Sequence, residues 1–391
     1  MSAFATEAAA RVASISERWR NLRNRMISSP RFQSWAARSP LTRYIARKRA
    51  RALYDLCAGF VYSQTLLACV RLGAFERLAS GPKTISELAE DMRLPLDGAR
   101  RLMKAGASLG LFHALSGDRF VLDDLGAAML GNPSIAAFVA HHDLFYDDLR
   151  DPVALLRGES KTSLSQFWPY ASDRPGQGQV PEGAKDDAAQ EQAFADYCDL
   201  MSQSQVLVAG DILDAYPVQR HHCLLDVGGG EGGFLAAAAA RAPNLALRLF
   251  ELPRVAERGR AQLGARGLGS RAEVFSGSFL NDPLPQGADL ISLVRVLHDH
   301  DDETARVMLA AAYAALPSGG VVLLAEPMSE TLGAEPMGDA YFGFYLLAMG
   351  RGRPRSADEI GGLLRTAGFV GVSHLKTRRP LLGSVVIGRR P

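Results

Sequence analysis

The residues with the clearest chemical purpose lie in one glycine-rich run, His222-Cys-Leu-Leu-Asp-Val-Gly-Gly-Gly-Glu-Gly-Gly-Phe234. It reads as an apolar strand, a tight turn and the start of a helix, and Gly228, Gly230 and Gly233 satisfy GxGxxG. Such a turn needs residues without a Cβ, so that the backbone can approach a ligand. About one strand later comes Leu249-Phe-Glu-Leu-Pro253, where Glu251 is placed to accept hydrogen bonds from ribose hydroxyls. Two ligands compete for this arrangement. A nicotinamide dinucleotide would lay its pyrophosphate on the helix N-terminus. S-adenosylmethionine has no phosphate and needs its amino-acid end and sulfonium held instead. Asp226, two positions ahead of Gly228, would repel a pyrophosphate but would orient a cationic ligand's ammonium through water, which favours the sulfonium.

A second constellation follows. Gly277-Ser278-Phe279 comes after the third candidate strand, and His298-Asp299 after the fourth. Both therefore face the crevice where α/β sheets bind ligands. A lone histidine is more often a packed or capping group than a catalyst. Here the next strand ends in Leu323-Leu-Ala-Glu326, so Glu326 is placed to hydrogen-bond the imidazole and orient a general base.

These residues need a frame. From 221 onward, short apolar runs alternate with helical stretches, at 223–227, 246–250, 272–275, 288–294, 320–325, 370–375 and 383–388. That pattern predicts an α/β fold with a largely parallel sheet. Upstream, Thr84-Ile-Ser-Glu87 is a capping box opening a helix to Asp91. A second helix runs from Pro95 to about Leu109, and strands at 111–114 and 119–122 flank Ser116-Gly117-Asp118, a winged-helix-like order. Residues 50–80 read as an apolar helix buried on most sides, with a partner subunit as one candidate cover, 134–170 as aromatic-rich helices, 171–190 as an exposed loop and 191–216 as an amphipathic helix. The expected divisions are a basic arm over 1–50, a helical and winged-helix region over 51–204, and the α/β domain over 205–391.

With 391 residues, 47% hydrophobic and 22% charged, the chain is globular and too long for one typical domain. Its net charge of +2 excludes a polyelectrolyte binder, but the charge is uneven. Residues 1–51 hold twelve basic residues against Glu7 and Glu17, a net +10, which leaves −8 for the rest. Trp19, Leu22, Met26, Phe32 and Trp35 interleave with the arginines, and Pro30 and Pro40 cut the segment into three helical pieces. Such helices suit an anionic membrane surface, a solvated arm or a swapped dimer contact. No apolar run approaches the ~20 residues a bilayer needs. The start lacks a signal-peptide core, so the expected location is the cytoplasm or the cytoplasmic face of a membrane. Four scattered cysteines, Cys57, Cys69, Cys198 and Cys223, read as buried reduced thiols. No metal site is expected: the adjacent pairs His141-His142 and His221-His222 cannot converge on one ion and read as surface or packing residues.

The motifs LLDVGGGEGG, LFELP, VLHDHDDE and LLAEPM, after a winged-helix-like region, resemble the S-adenosylmethionine-dependent O-methyltransferases of the caffeate/hydroxyindole type. The resemblance covers about residues 50–391. It implies a class I, Rossmann-like methyltransferase domain and a helical dimerisation domain, working as a metal-free homodimer. It also implies that Gly228, Gly230 and Glu251 hold the donor's methionine and ribose ends, that Ser278 and Phe279 lie by the adenine, and that His298 is the base. Asp226, Leu252 and Arg295 join the donor set, and Glu326 and Asp299 join His298. The basic extension and the segments SGSFLNDPLP and LLAMGRGRPRSADEI are most similar to the bacterial carotenoid methyltransferases, which convert the tertiary 1-hydroxyl of hydroxyneurosporene or demethylspheroidene to a methoxy group. Two positions depart from the family pattern: Ser278 stands where Asp is usual, and Pro354 where plant-type members carry a second glutamate.

The expected acceptor pocket is apolar and aromatic, with Phe194, Tyr197, Met201, Tyr341, Tyr345 and Met349 as its wall, which suits a lipophilic small molecule. A phenolic, polyketide or tetrapyrrole acceptor is the alternative. A winged-helix DNA-binding regulator is the minor one. Residues 97–109 mix Arg100, Arg101 and Lys104 with Asp97, and nucleic acid is not an expected partner.

Overall fold

The computed structural model describes residues 16–167, 202, 205 and 208–391. By contacts the chain divides into two compact units, Met1–Gly126 and Ala127–Pro391, ahead of the 204/205 boundary drawn from composition.

All seven expected strands of the second unit form. They are β4 (Cys223–Val227), β5 (Ala246–Glu251), β6 (Ala272–Ser276), β7 (Leu290–Val294), β8 (Val321–Glu326), β9 (Val370–Leu375) and β10 (Ser384–Arg389). They make one sheet in the order β6-β5-β4-β7-β8-β10-β9. The β4–β5, β5–β6, β4–β7 and β7–β8 pairs are parallel, whereas β10 lies antiparallel between β8 and β9. β4, β7 and β8 are buried along their whole length, which explains why they read as unbroken apolar runs rather than as alternating ones. Successive residues feed two cores. Leu225, Ile291 and Leu324 pack with the helices Asp302–Ala315 and Ala357–Thr366. Leu224, Leu290 and Leu323 pack with the helix Gly233–Arg241 and with Val208, Ile212 and Leu213. From β4 the chain winds outward through β5 to β6, then returns to lay β7 on the other side of β4. The crevice at this switch point, at the carboxyl ends of the strands, is the usual ligand position in such sheets.

In the first unit the helices Ile85–Asp91 and Leu96–Ser108 precede the hairpin β2 (Phe112–Leu115) and β3 (Arg119–Leu122). A two-residue strand, β1 (Lys83–Thr84), completes a sheet ordered β1-β3-β2. The Thr84 hydroxyl accepts the Glu87 N–H while the Glu87 carboxylate accepts the Thr84 N–H, so the capping box forms as expected.

Three expectations need correction. The apolar helix starts earlier and runs Arg43–Arg71, and within the chain it is not buried on most sides: only Leu67 and Cys69 are, while Leu53, Leu56 and Phe60 are exposed. By length and composition this helix is also apolar enough to cross a membrane: Gly59, Ser63 and Gln64 break the apolar run, but they add no charge and the surrounding Leu, Val, Phe, Ala and Cys residues keep the mean hydropathy high. Cys57 is exposed on it, although Cys69 and Cys223 are buried thiols as expected. Cys198, the 171–190 loop and most of the 191–216 helix lie outside the described residues.

Candidate active site

The glycine turn leaves β4 with Gly228, Gly230 and Gly232 all at positive φ. At Gly229 a Cβ would sit 2.2 Å from Asp226 Oδ2, so only glycine fits. Asp226 lies beneath this turn. It is fully buried, its Oδ1 accepts the Ser292 hydroxyl at 2.5 Å, and burial pushes its carboxyl up to about 7. It does not line the cavity beside the turn, so the expected contact with a ligand's ammonium gives way to support of the loop from below.

That cavity is lined by Gly228, Gly229, Gly230, Glu251, Leu252, Ser278, Phe279, Arg295 and Asp299, which gathers eight of the expected residues. Glu251 closes β5, and the low-dielectric surroundings push its carboxyl up to about 8. The Ser278 N–H donates to Asp282 at 2.8 Å, which places a carboxylate four residues beyond the position where the family pattern has Asp. Phe279 meets His300 edge-on, ring centroids 5.3 Å apart. Arg295 follows β7 at φ 58, a strained conformation for an arginine, with its N–H tied to the Ala325 carbonyl at 2.7 Å. Ser202, Gln205, Glu231, His300 and Arg351 also face the cavity and were not expected. Glu231 stands inside the glycine run itself, where attention to the glycines hides it; its carboxylate is held by Arg258 at 2.7 Å.

His298 occupies a short 3₁₀ turn, Leu297–Asp299, and is buried. Desolvation, helped by the cations Arg295 and Arg355 and by His300, pushes its imidazole down to about 3. The ring is therefore neutral at physiological pH. Its Nε2 lies 3.3 Å from Asp299 Oδ1. Glu326, at the end of β8, is fully buried, and burial pushes it up to about 7. Its Oε2 accepts the backbone N–H of His298 at 3.0 Å. Glu326 therefore fixes the turn and not the imidazole as expected. Among the described residues, His298 Nδ1 and Glu326 Oε1 are both buried without a hydrogen-bond partner. With Pro354 where a second glutamate was absent from the sequence, Asp299 is the carboxylate beside Nε2.

The turn is also held from a distance. Arg355 is fully buried and donates to the Leu297 carbonyl at 2.9 Å, to the His300 carbonyl at 2.8 Å and to Asp302 at 2.7 Å. The Arg353 N–H donates to the His298 carbonyl at 2.9 Å, and a Cβ on Gly352 would collide with that carbonyl at 2.1 Å. None of this support was visible as a motif.

Of the expected acceptor wall, Phe194, Tyr197 and Met201 lie outside the described residues. Tyr341 sits on a π-helical stretch, Pro336–Phe342, and its hydroxyl pairs with His142 Nε2 at 2.9 Å. Tyr345 pairs with His141 Nε2 at 2.7 Å. Those histidines are thus packing residues, and burial pushes His141 down to about 4. Phe342 carries this aromatic group to within 5.5 Å of the His298 ring. Tyr345 and Met349 are corrected: both are buried in the cluster of Phe145, Leu155 and Leu164 and line no open wall.

The O-methyltransferase domain pattern matches residues 146–370, and the O-methyltransferase dimerisation domain pattern matches residues 54–132. The chain belongs to the O-methyltransferase family. It is 42% identical to the demethylspheroidene O-methyltransferase of Cereibacter sphaeroides over 367 residues, covering 94% of each chain. It is 32% identical to the acetylserotonin O-methyltransferase of Mus musculus, covering 84% of this chain and 85% of that one. The solved mitomycin 7-O-methyltransferase MmcR has the same fold, with a TM-score of 0.71 at 25% identity over 89% of this chain and 100% of that one. The methyltransferase uses S-adenosylmethionine, and its dimerisation domain makes the homodimer its assembly. The residues fit that donor: a glycine backbone that lines the cavity, a carboxylate at the end of β5 for the ribose, and Phe279 with His300 as ring surfaces.

Proposed function

We propose that the O-methyltransferase acts on the tertiary 1-hydroxyl of an acyclic carotenoid of the demethylspheroidene or hydroxyneurosporene class, as a step of carotenoid biosynthesis. The likeness along nearly the whole of two chains to demethylspheroidene O-methyltransferase carries this reading. Bound S-adenosylmethionine supplies a methyl group already activated on a sulfonium. The protein's task is then to hold the acceptor oxygen in line with the bond that breaks. Gly228, Gly230 and Leu252 cradle the donor, Glu251 takes its ribose, and Ser278, Phe279 and Arg295 complete its pocket. His298 accepts the hydroxyl proton as the new carbon–oxygen bond forms. A tertiary alcohol is a weak acid and His298 a weak base, so proton removal accompanies methyl transfer and cannot precede it. Asp299 meets the positive charge that develops on the ring, and Glu326 holds the turn through the His298 N–H. The partly buried rings of Tyr341 and Phe342 accommodate the apolar acceptor chain.

A phenolic acceptor is the second reading. The weakly basic, desolvated His298 favours it, because a phenol asks less of the base. Mass-spectrometric assay of methyl transfer to a detergent-dispersed 1-hydroxycarotenoid and to a soluble phenol separates the two. Turnover of the phenol alone overturns the carotenoid assignment. Peripheral contact with the cytoplasmic membrane face, through the basic N-terminal segment, belongs to the same proposal.

A further inference from the structure

We infer that residues 16–51 form a built surface for an anionic lipid bilayer, and that the enzyme lies on that bilayer without spanning it. This supplies the partner for the membrane contact proposed above.

Charge is the first observation. The segment holds eleven basic residues, ten of them arginine, against Glu17 alone, while the chain outside it is net negative. Exposure is the second. Along the helices over 16–27 and Pro30–Arg38, Trp19, Leu22 and Met26 recur at helical spacing and are exposed, as is Trp35. At the following turn Leu41 is 90% exposed and Tyr44 is 75% exposed. Tryptophan, tyrosine and aliphatic groups among arginines suit the boundary between headgroups and acyl chains, where the apolar parts enter and the guanidinium groups bind phosphate. Position is the third. This surface precedes residue 54, where the dimerisation domain pattern begins.

Other occupants fit less well. Nucleic acid would satisfy the arginines but leave Trp19, Leu22 and Leu41 in water. The same arm of a second copy brings a like charge of +10 against +10. A spanning role for the helix Arg43–Arg71 conflicts with its start, where Arg43, Arg47, Lys48, Arg49 and Arg51 fall within the first three turns. The apolar remainder from Tyr54 onward falls within the dimerisation domain.

The test is co-sedimentation of the full-length enzyme with vesicles of phosphatidylcholine, alone or mixed with phosphatidylglycerol. Neither donor nor acceptor is present, so failure here leaves the methyl-transfer reading standing. The expected result is pelleting with the mixed vesicles and not with the neutral ones, and release by about 1 M salt, where the Debye length falls to ~3 Å. Replacing Arg47, Lys48 and Arg49 by Gln, or Trp19 and Trp35 by Ala, should each weaken partition about tenfold or more with the circular dichroism unchanged. Equal pelleting with both vesicle types, no pelleting with either, resistance to alkaline carbonate extraction, or full displacement by an RNA duplex that binds more tightly overturns the proposal.

Discussion

The glycine turn after β4 and the histidine turn after β7 lie at neighbouring strand ends, yet they are held in opposite ways. The glycine turn is supported locally: Asp226, two residues upstream, fills the space below it, and Ser292 from the adjacent strand orients that carboxylate. The histidine turn is supported from far along the chain, by Glu326 and by Arg353 and Arg355. The first arrangement is a ligand cradle whose shape is written in one contiguous run. The second is a reactive group whose placement depends on strands and loops that close later.

Breaking the histidine turn at its centre should have the largest effect. His298→Ala removes the base, and general-base loss of this kind costs roughly 10²–10⁴-fold in kcat. Donor affinity, read by calorimetry, should be unchanged; near-full turnover would show that proximity alone suffices. Next comes the remote support. Arg355→Met leaves the Leu297 and His300 carbonyls without their buried donor, while Asp302 keeps Arg353, a loss of about 1–3 kcal/mol in folding stability for each orphaned carbonyl. Thermal denaturation reads that loss. In the milder Arg355→Lys, kcat should fall more than the donor's dissociation constant rises, since the turn and not the cradle is disturbed.

The cradle is sharpened by a smaller change. Gly229→Ala forces a methyl group against Asp226, an overpacking cost of about 1–3 kcal/mol, and should weaken donor binding while any residual kcat at saturation is retained. Acidity gives a graded effect. Burial raises the Glu251 pKa to about 8, and the cationic donor with its ribose hydroxyls favours the ionised form. Binding therefore releases a proton below that pH. Affinity should rise by up to about tenfold per unit as pH increases toward 8 and then level off. A Glu251→Gln enzyme with the same slope would remove Glu251 from the ribose site. Smallest is Tyr341→Phe, which deletes one hydrogen bond to His142 and should cost about 1 kcal/mol of stability.

The same contrast explains what the sequence disclosed. The strands, the capping box, the hairpin and the cavity residues on the first turn of each strand end were legible because each is a local pattern of apolar period, cap or glycine. Asp226 was misread for a physical reason: a carboxylate two residues before a glycine turn looks ligand-facing, but strand alternation directs it under the loop. Glu326 was placed correctly, yet its bond goes to the backbone of His298, a choice that composition does not encode. Arg355 and His300 escaped notice because their importance comes only from which carbonyls and rings the fold brings to them. Burial of the apolar helix was expected in part against a partner subunit, and in the single chain the outer face of Arg43–Arg71 is exposed.

The place of β10 has a consequence for how the enzyme matures. Strands β8 and β9 cannot join until β10, which follows both in the chain, slots between them, and its first residue, Ser384, pairs directly with Glu326. Without β10 the sheet would be left with open edges at β8 and β9, and Glu326, the anchor of the His298 turn, would lack its strand partner. The last strand of the chain thus completes the frame of the reactive turn, and such open edges are what a chaperone would have to shield.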